Sequence, residues 1–110
     1  MTGPIAEVAG TWALILATPI GRLPVTLVLH HEQGTLSGTA TGREETVPLR
    51  NITADPESGS GSAVRLTWQQ AITRPMRLNL DFDVLVTADS MTGFSRAGRL
   101  PRTTVTGTRR

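Results

Sequence analysis

Short apolar stretches alternate with polar residues along most of the chain, and no segment shows a helical period. In the first such stretch, Trp12, Leu14 and Leu16 fall at every second position. An alternation with a period of two places successive side chains on opposite faces of a β-strand. The pattern predicts eight strands, which cover residues 10–18, 23–31, 35–41, 46–52, 63–72, 77–87, 91–96 and 103–109.

Turn-forming residues separate these strands at regular intervals, which indicates an antiparallel meander that forms either a barrel or a sandwich. About eight strands close into a barrel whose interior is just wide enough for side chains or one small ligand. We therefore predict an all-β fold, an eight-stranded antiparallel up-and-down β-barrel. Residues 10–110 are expected to form this single β-barrel domain, and residues 1–9 an N-terminal extension.

The alternation also predicts which side chains point into the barrel. The sixth predicted strand has the longest apolar stripe, and Asn79, Asp81 and Asp83 lie on its opposite, outer face. The inward residues are expected to be Trp12, Leu14, Leu16, Val25, Leu27, Leu29, Val64, Leu66, Trp68, Leu78, Leu80, Phe82, Val84 and Val86.

A short pattern of apolar residue, hydroxyl residue and glycine recurs on three strands. It ends at Gly38, Gly93 and Gly107. Glycine within a strand marks a bend or a close approach of two backbones, as a small, strongly coiled barrel requires. The alternative is coincidence in a chain rich in threonine and glycine.

The composition removes several classes of function. The 110 residues include no Cys, Tyr or Lys, so disulfides, thiolate metal sites and Cys nucleophiles are excluded, and all eleven basic residues are Arg. The formal charge is only +2, and no dense basic stripe with interleaved aromatics is present, so no nucleic-acid partner is expected. With no signal-like or membrane-spanning stretch, we predict a cytoplasmic protein with no membrane partner.

The two ends of the chain resemble the calycin superfamily of lipocalins and avidins. The first strand opens with Gly10-Thr11-Trp12, and the last closes with Thr106-Gly107-Thr108-Arg109. The resemblance implies that Trp12 and Arg109 form a structural plug at the closed end of the barrel, with the guanidinium over the indole as a cation–π contact. In size and architecture the chain also resembles the small bacterial barrel cyclases that form spirotetronate rings in polyketide assembly. The aromatic residues of an avidin-type biotin site are absent.

Connections in an up-and-down barrel alternate between the two ends, which separates the charges. If Trp12 and Arg109 plug one end, residues 19–22, 42–45, 73–76 and 97–102 rim the open mouth. Seven arginines and two glutamates fall at this mouth, a balance of +5, whereas the plugged end has a balance of −3. We expect the mouth, including Arg74 and Arg99, to attract an anionic group; the alternative is an ordinary solvated rim.

The residues available to the lumen favour binding over strong acid–base chemistry. His30 and His31 are adjacent on a strand and point to opposite faces, so no metal site and no cofactor are expected. The expected ligand-binding residues are Leu16, Thr18, Leu27, Leu78, Leu80, Phe82, Ser95, Thr103, Met76, Arg74 and Arg99. Gln70 and Trp68 are the expected catalytic residues, Gln70 by polarising a carbonyl group and Trp68 by shaping the substrate.

Two functions from different classes fit such a pocket. The first is a cofactor-independent natural-product cyclase, which folds an apolar, acidic-headed, polyketide-like substrate for an intramolecular [4+2]-type reaction. The alternative is a non-catalytic, lipocalin-like carrier or sequestering protein for a hydrophobic small molecule. A third reading is a barrel filled by its own side chains that serves as an interaction module. The chain is expected to be a monomer or a weak homodimer.

Overall fold

The structure, a computed structural model, describes residues 8–18, 21–43, 45–56, 63–73 and 77–110. These residues form one antiparallel sheet that curves into a nearly closed barrel, which confirms the all-β, antiparallel prediction. The strands are β1 (Gly10–Thr18), β2 (Gly21–Glu32), β3 (Thr35–Thr41), β4 (Thr46–Pro48), β5 (Arg50–Pro56), β6 (Val64–Ile72), β7 (Leu78–Thr87), β8 (Ser90–Ala97) and β9 (Thr103–Arg109).

The strand order is β4-β3-β2-β1-β9-β8-β7-β6-β5, so neighbours in the sequence are neighbours in the sheet, apart from β4 and β5 at its two edges. The first and last strands pair directly, with Trp12 opposite Arg109. This pairing brings the two ends of the chain together and curves the meander into a barrel. The architecture is compatible with a calycin-like barrel.

The prediction of eight strands is wrong, because the described residues form a sheet of nine. The predicted strand 46–52 divides at Leu49: β4 pairs with β3, and β5 pairs with β6. The backbone N–H of Leu49 still donates to the Gly38 carbonyl oxygen at 3.0 Å, but Asn51 has a φ of 51° and the pairing register shifts between Arg50 and Thr53. This bulge turns the chain from one edge of the sheet to the other, so a single run of sequence supplies both edge strands.

The barrel interior is packed with apolar side chains from the faces that the alternation predicts. Between β6 and β7, the rings of Trp68 and Phe82 stack with their centroids 4.6 Å apart and their planes 7° from parallel. The largest fully buried side chains are Trp12, Trp68, Leu14, Leu27, Leu29, Leu66, Met91, Val8, Val64, Val84 and Val105.

The close backbone approach predicted at the strand glycines is present. A Cβ atom at Gly93 would collide with the carbonyl oxygen of Asp83 on the neighbouring strand. A Cβ atom at Gly38 would collide in the same way with the carbonyl oxygen of Val28. Glycine at these positions therefore allows adjacent strands to coil tightly. Across the described ranges, no helix has the length and apolar character needed to cross a membrane.

Candidate functional site

One end of the barrel is plugged by a buried tryptophan and the arginine above it. The guanidinium carbon of Arg109 lies 4.3 Å from the centre of the Trp12 ring, and the Trp12 side chain is fully buried. The indole N–H donates to the Val8 carbonyl oxygen at 2.9 Å, and Arg109 Nη1 donates to the Ala9 carbonyl oxygen at 2.8 Å. Val8 and Ala9, which the sequence placed in an N-terminal extension, therefore pack into the plug; residues 1–7 lie outside the described residues.

Arg109 also connects the plug to the turn between β7 and β8. Its Nε donates to Asp89 Oδ1 at 3.0 Å, and its backbone N–H donates to the Asp89 carbonyl oxygen at 2.8 Å. The Arg109 side chain is 26% exposed and that of Asp89 is 83% exposed, so solvent screens the ion pair. The contacts with the indole and with the backbone are the ones that close this end.

The other end is the mouth, which we define by the connections β1–β2, β3–β4, β6–β7 and β8–β9. Glu45, in the β3–β4 connection, accepts hydrogen bonds from Thr73, in the β6–β7 connection: from the backbone N–H at 2.7 Å and from the hydroxyl group at 2.8 Å. The two edge strands of the sheet, β4 and β5, meet at a gap that we call the seam of the barrel, and the pair of Glu45 and Thr73 bridges the seam at the mouth. Six arginines at this end are exposed: Arg22, Arg43, Arg77, Arg96, Arg99 and Arg102.

A cavity of about 270 Å³ opens at the mouth. Its wall is mostly apolar, with Gln70 deep in the barrel and Arg43 and Glu45 at the lip. The lining residues are Leu16, Leu23, Pro24, Val25, Ala40, Gly42, Arg43, Glu45, Val47, Gln70, Ile72 and Leu80. We call this space the mouth cavity.

Gln70 is the most deeply buried polar side chain of the mouth cavity, at 6% exposure. Its Oε1 accepts a hydrogen bond from the indole N–H of Trp68 at 3.0 Å. That bond fixes which end of the amide carries the oxygen, because an indole N–H only donates. Within the described residues, Gln70 Nε2 makes no hydrogen bond. Every side-chain nitrogen or oxygen there that is sealed from solvent has a hydrogen-bond partner, so Nε2 is not sealed from solvent. The Nε2 group is therefore accessible from the cavity as a donor.

The mouth cavity brings together only some of the residues that the sequence predicted for a site. Leu16, Gln70 and Leu80 line it. Trp68, Leu27 and Phe82 are buried in the apolar core and do not line it, although Trp68 holds Gln70. Thr18 donates its hydroxyl hydrogen to the Gly21 carbonyl oxygen at 2.6 Å.

The remaining predicted residues lie elsewhere or are not described. Leu78 and Thr103 are half-buried, Ser95 is buried and Arg99 is exposed, and none of these four lines the mouth cavity. Arg74 and Met76 lie outside the described residues. The two histidines differ in exposure, with His30 exposed and His31 half-buried.

The expected ligand-binding residues did not include Ala40 and Val47, which form the β3 and β4 wall of the cavity. The alternation does indicate that Gly38 and Ala40 are small inward residues, which leave open volume in a lumen. The expected residues also lacked Glu45, whose bonds to Thr73 depend on two connections meeting in space.

A second, more open concavity of about 390 Å³ lies against β6, β7 and β8. It is lined largely by outward polar side chains that bond one another: Gln69 Nε2 donates to Asp81 Oδ1 at 2.8 Å, and Asn51 Nδ2 donates to Gln69 Oε1 at 2.6 Å. At its edge the Arg102 guanidinium lies 4.4 Å from the centre of the Phe94 ring. Cross-strand pairs of this kind stabilise a solvated sheet face, so the mouth cavity is the stronger candidate for a site.

The chain matches no protein-family model, and neither the curated proteins nor the solved structures contain one significantly similar to it. Only the geometry of the site therefore bears on the function of the protein.

Proposed function

We propose that the protein binds a small hydrophobic molecule, or the hydrophobic end of a larger one, in the mouth cavity. The observation that carries the proposal is an apolar cavity with one deep, oriented donor, the Nε2 group of Gln70. Binding sites for small molecules typically combine an apolar wall with a few placed polar groups that fix orientation. A ligand carbonyl or carboxylate oxygen that reaches Gln70 accepts this hydrogen bond, while its apolar body packs against Leu16, Ile72 and Leu80.

The volume limits what enters. Typical ligand pockets have about 300 to 1,000 Å³, and the mouth cavity, at about 270 Å³, lies just below that range. A fused two-ring molecule or a short branched acyl group fits, whereas only the terminal part of a long polyketide chain enters. The rest of a longer ligand stays at the lip, beside Arg43.

The charge of the mouth favours a ligand with an acidic group. Arg43 lines the cavity and is exposed, and five further exposed arginines surround this end. A concentration of one sign of charge around an apolar opening raises the local concentration of oppositely charged ligands and accelerates their association. Among the described residues, the plugged end has Glu32, Asp55 and Asp89 against Arg109 and Arg110, so the excess of positive charge lies at the mouth.

The resemblance of the chain ends to calycins supports the same proposal. A barrel that is closed at one end by a tryptophan and an arginine and open at the other is the arrangement that the resemblance implies, and calycins bind small molecules in the open part. A carrier or sequestering protein needs no more than this cavity.

A cofactor-independent cyclase is a second candidate, and the fixed Gln70 amide favours it. A donor held by Trp68 can polarise the carbonyl group of a conjugated alkene and lower the barrier of an intramolecular [4+2] addition. In that reaction two carbon–carbon bonds form within one molecule and the product is an isomer of the substrate, so no oxidant, base or leaving group is needed. The cavity contributes by holding the chain folded.

Titration with 2-naphthoate, a fluorescent apolar acid, tests binding. Ala40→Leu fills the cavity, and Ala17→Leu adds the same bulk on the exposed outer face of β1 as a matched control. We expect Ala40→Leu to lower affinity at least about tenfold, because the ligand and the leucine compete for one space, and Ala17→Leu to leave affinity unchanged. Equal affinity in all three proteins, with melting temperatures intact, would remove the mouth cavity as the site.

Gln70→Leu separates carrier from cyclase. The probe is a short linear trienoate whose diene and activated alkene cyclise within one molecule, followed by chromatography of substrate and isomer. A cyclase accelerates the conversion, and Gln70→Leu then lowers kcat about tenfold to a hundredfold with a smaller change in KM. A carrier binds the trienoate without acceleration, and Gln70→Leu weakens only its affinity. Acceleration that persists unchanged in Gln70→Leu would contradict the role of this amide.

A further inference from the structure

The same four residues, Gly-Arg-Leu-Pro, occur twice in the chain, at 21–24 and at 98–101. The first copy opens β2 and the second lies in the connection between β8 and β9, so both belong to the mouth. In the sheet, β1 lies between β2, which opens with the first copy, and β9, which follows the second. The repeat therefore places the same arginine and leucine side chains at two separate points of one rim, on a strand end in the first copy and on a turn in the second.

The leucine of each copy is exposed. Leu100 is 55% exposed and Leu23 is 38% exposed; among the described residues the other large exposed hydrophobic side chains are Leu85 and Phe94, which lie on the wall strands β7 and β8. Leu23 stays uncovered because β2 pairs with β3 only from Thr26 onward, so residues 21–25 extend past β3. Leu23 also borders the mouth cavity, whereas Leu100 does not, so the two leucines extend the apolar surface of the rim beyond the cavity itself.

Each copy is held in a fixed shape. The glycines begin the copies with positive φ angles, 132° at Gly21 and 57° at Gly98, which side chains with a Cβ rarely adopt. The proline that ends each copy fixes its own φ. In the second copy the Leu100 N–H donates to the Ala97 carbonyl oxygen at 3.0 Å, and Arg96 Nε donates to the Leu100 carbonyl oxygen at 3.1 Å. The leucine therefore projects from an ordered turn.

The arginine of each copy is exposed and makes no ion pair with a described residue. Arg22 and Arg99 have no carboxylate partner within the part of the chain that the structure describes, whereas Arg65 and Arg109 pair with Asp83 and Asp89. Arg43 and Arg77 add further exposed positive charge at the same end. The rim thus combines guanidinium groups that make no ion pair with the described residues and leucine side chains that are exposed.

We propose that the mouth docks on an anionic lipid bilayer, with Leu23 and Leu100 at the boundary of the acyl chains and Arg22 and Arg99 on the lipid phosphates. Guanidinium groups form paired hydrogen bonds with phosphates, and an apolar side chain next to a basic one is the combination that peripheral proteins use at lipid interfaces. Two such copies on a rim suit a planar, negatively charged surface, whereas a protein partner would have to offer two separate apolar pockets. A docked mouth would open the cavity towards the lipid, the source of a hydrophobic ligand.

Docking at the surface differs from the expectation of no membrane partner, which depended on the lack of a spanning segment; docking requires none. It also stands apart from the proposed ligand, because the docking surface is tested without any ligand present. Failure of one proposal leaves the other intact.

Flotation of the full chain with vesicles tests the docking. We expect binding to vesicles of phosphatidylcholine mixed with phosphatidylglycerol and little binding to pure phosphatidylcholine. The Arg22→Gln/Arg99→Gln variant should bind about tenfold to thirtyfold more weakly, since each basic residue near an anionic surface contributes about 1 kcal/mol. The control Arg50→Gln/Arg110→Gln removes the same net charge from the wall and the plugged end, and should retain most of the binding.

The leucines are tested in the same assay with a matched pair. Leu100→Ser should weaken binding about fivefold or more, because it removes an apolar side chain from the lipid boundary, and Leu85→Ser on the outer wall should leave it unchanged. Leu100 does not line the mouth cavity, so Leu100→Ser should keep the wild-type affinity for 2-naphthoate. Equal binding to both kinds of vesicle, no binding of folded wild-type protein to anionic vesicles, or equal losses in test and control variants would overturn the proposal. Circular dichroism confirms that each variant is folded.

Discussion

The indole N–H groups of the two tryptophans, one in the plug and one in the core next to the mouth cavity, have different acceptors. At the plugged end, Trp12 donates to a backbone carbonyl oxygen, that of Val8, under the guanidinium of Arg109. Towards the mouth, Trp68 donates to a side chain, that of Gln70, whose other amide atom is accessible from a cavity. A backbone acceptor fixes structure and nothing more, whereas a side-chain acceptor passes the constraint on to an atom that a ligand can reach.

The comparison separates stability from function along one set of strands. β1 places Trp12 in the plug and Leu16 in the cavity wall four residues later. The plug is filled and its polar groups are satisfied, so changes there should mainly lower the free energy of unfolding. The mouth has open volume, and changes there should mainly alter binding.

Trp12→Ala should lower the free energy of unfolding by about 3 to 5 kcal/mol, since it removes a fully buried indole and leaves a cavity. Denaturation with guanidinium chloride measures the loss. Leu85→Ala, which truncates a partly exposed side chain on the outer wall, is the control and should cost about 0.5 kcal/mol or less. If the two variants were equally stable, the plug would not be the structural centre of this end.

Arg109→Met should cost about 1 to 2 kcal/mol. Methionine keeps part of the packing over Trp12 but loses the cation–π contact and the hydrogen bond to the Ala9 carbonyl oxygen. The ion pair with Asp89 is exposed and should contribute little, so Asp89→Asn is the control and should be nearly neutral. A larger loss in Asp89→Asn than in Arg109→Met would mean that the ion pair, and not the stacking, holds the plug.

Thr73→Val should have the smallest effect on stability, about 0.5 to 1 kcal/mol, because it removes one exposed hydrogen bond to Glu45 and keeps the one from the backbone. Its clearer effect should be kinetic: a looser seam should change the rates of 2-naphthoate binding and release, measured by stopped-flow fluorescence. Thr104→Val on an exposed position of β9 is the control. Unchanged rates in Thr73→Val would show that the Glu45 bridge does not affect access to the cavity.

Sequence alternation predicted the strands and their inward faces because barrel packing follows the two-residue period directly. Strands 10–18, 35–41 and 103–109 begin and end in the structure where the pattern placed them. The ninth strand was missed because the run 46–52 reads as continuous. Yet its buried and half-buried positions shift from odd-numbered residues, Val47 and Leu49, to even-numbered ones, Ile52 and Ala54. Such a shift in the two-residue alternation indicates a bulge.

The site was predictable in part for a related physical reason. Alternation indicates that Leu16, Gln70 and Leu80 face inward, and they line the mouth cavity. Alternation does not indicate how far from the mouth an inward side chain lies, because that distance depends on the pairing registers between strands. Trp68 lies opposite Phe82 and stacks on it, so its ring belongs to the core and reaches the cavity only through Gln70. The size of the opening depends on Ala40 and Val47 from strands that are not neighbours of β6 in the sheet order.

Entry of a ligand through the mouth and its contact with Gln70 are tested most directly by the two indole N–H signals in a proton–nitrogen NMR titration with 2-naphthoate. Because the chain contains two tryptophans, the plug and the region next to the mouth cavity each have a probe. We expect the Trp68 indole signal to shift in a saturable manner while the Trp12 signal stays in place, and Ala40→Leu to suppress the Trp68 shift. A shift of Trp12 alone, or saturable binding that moves neither indole signal, would contradict this expectation.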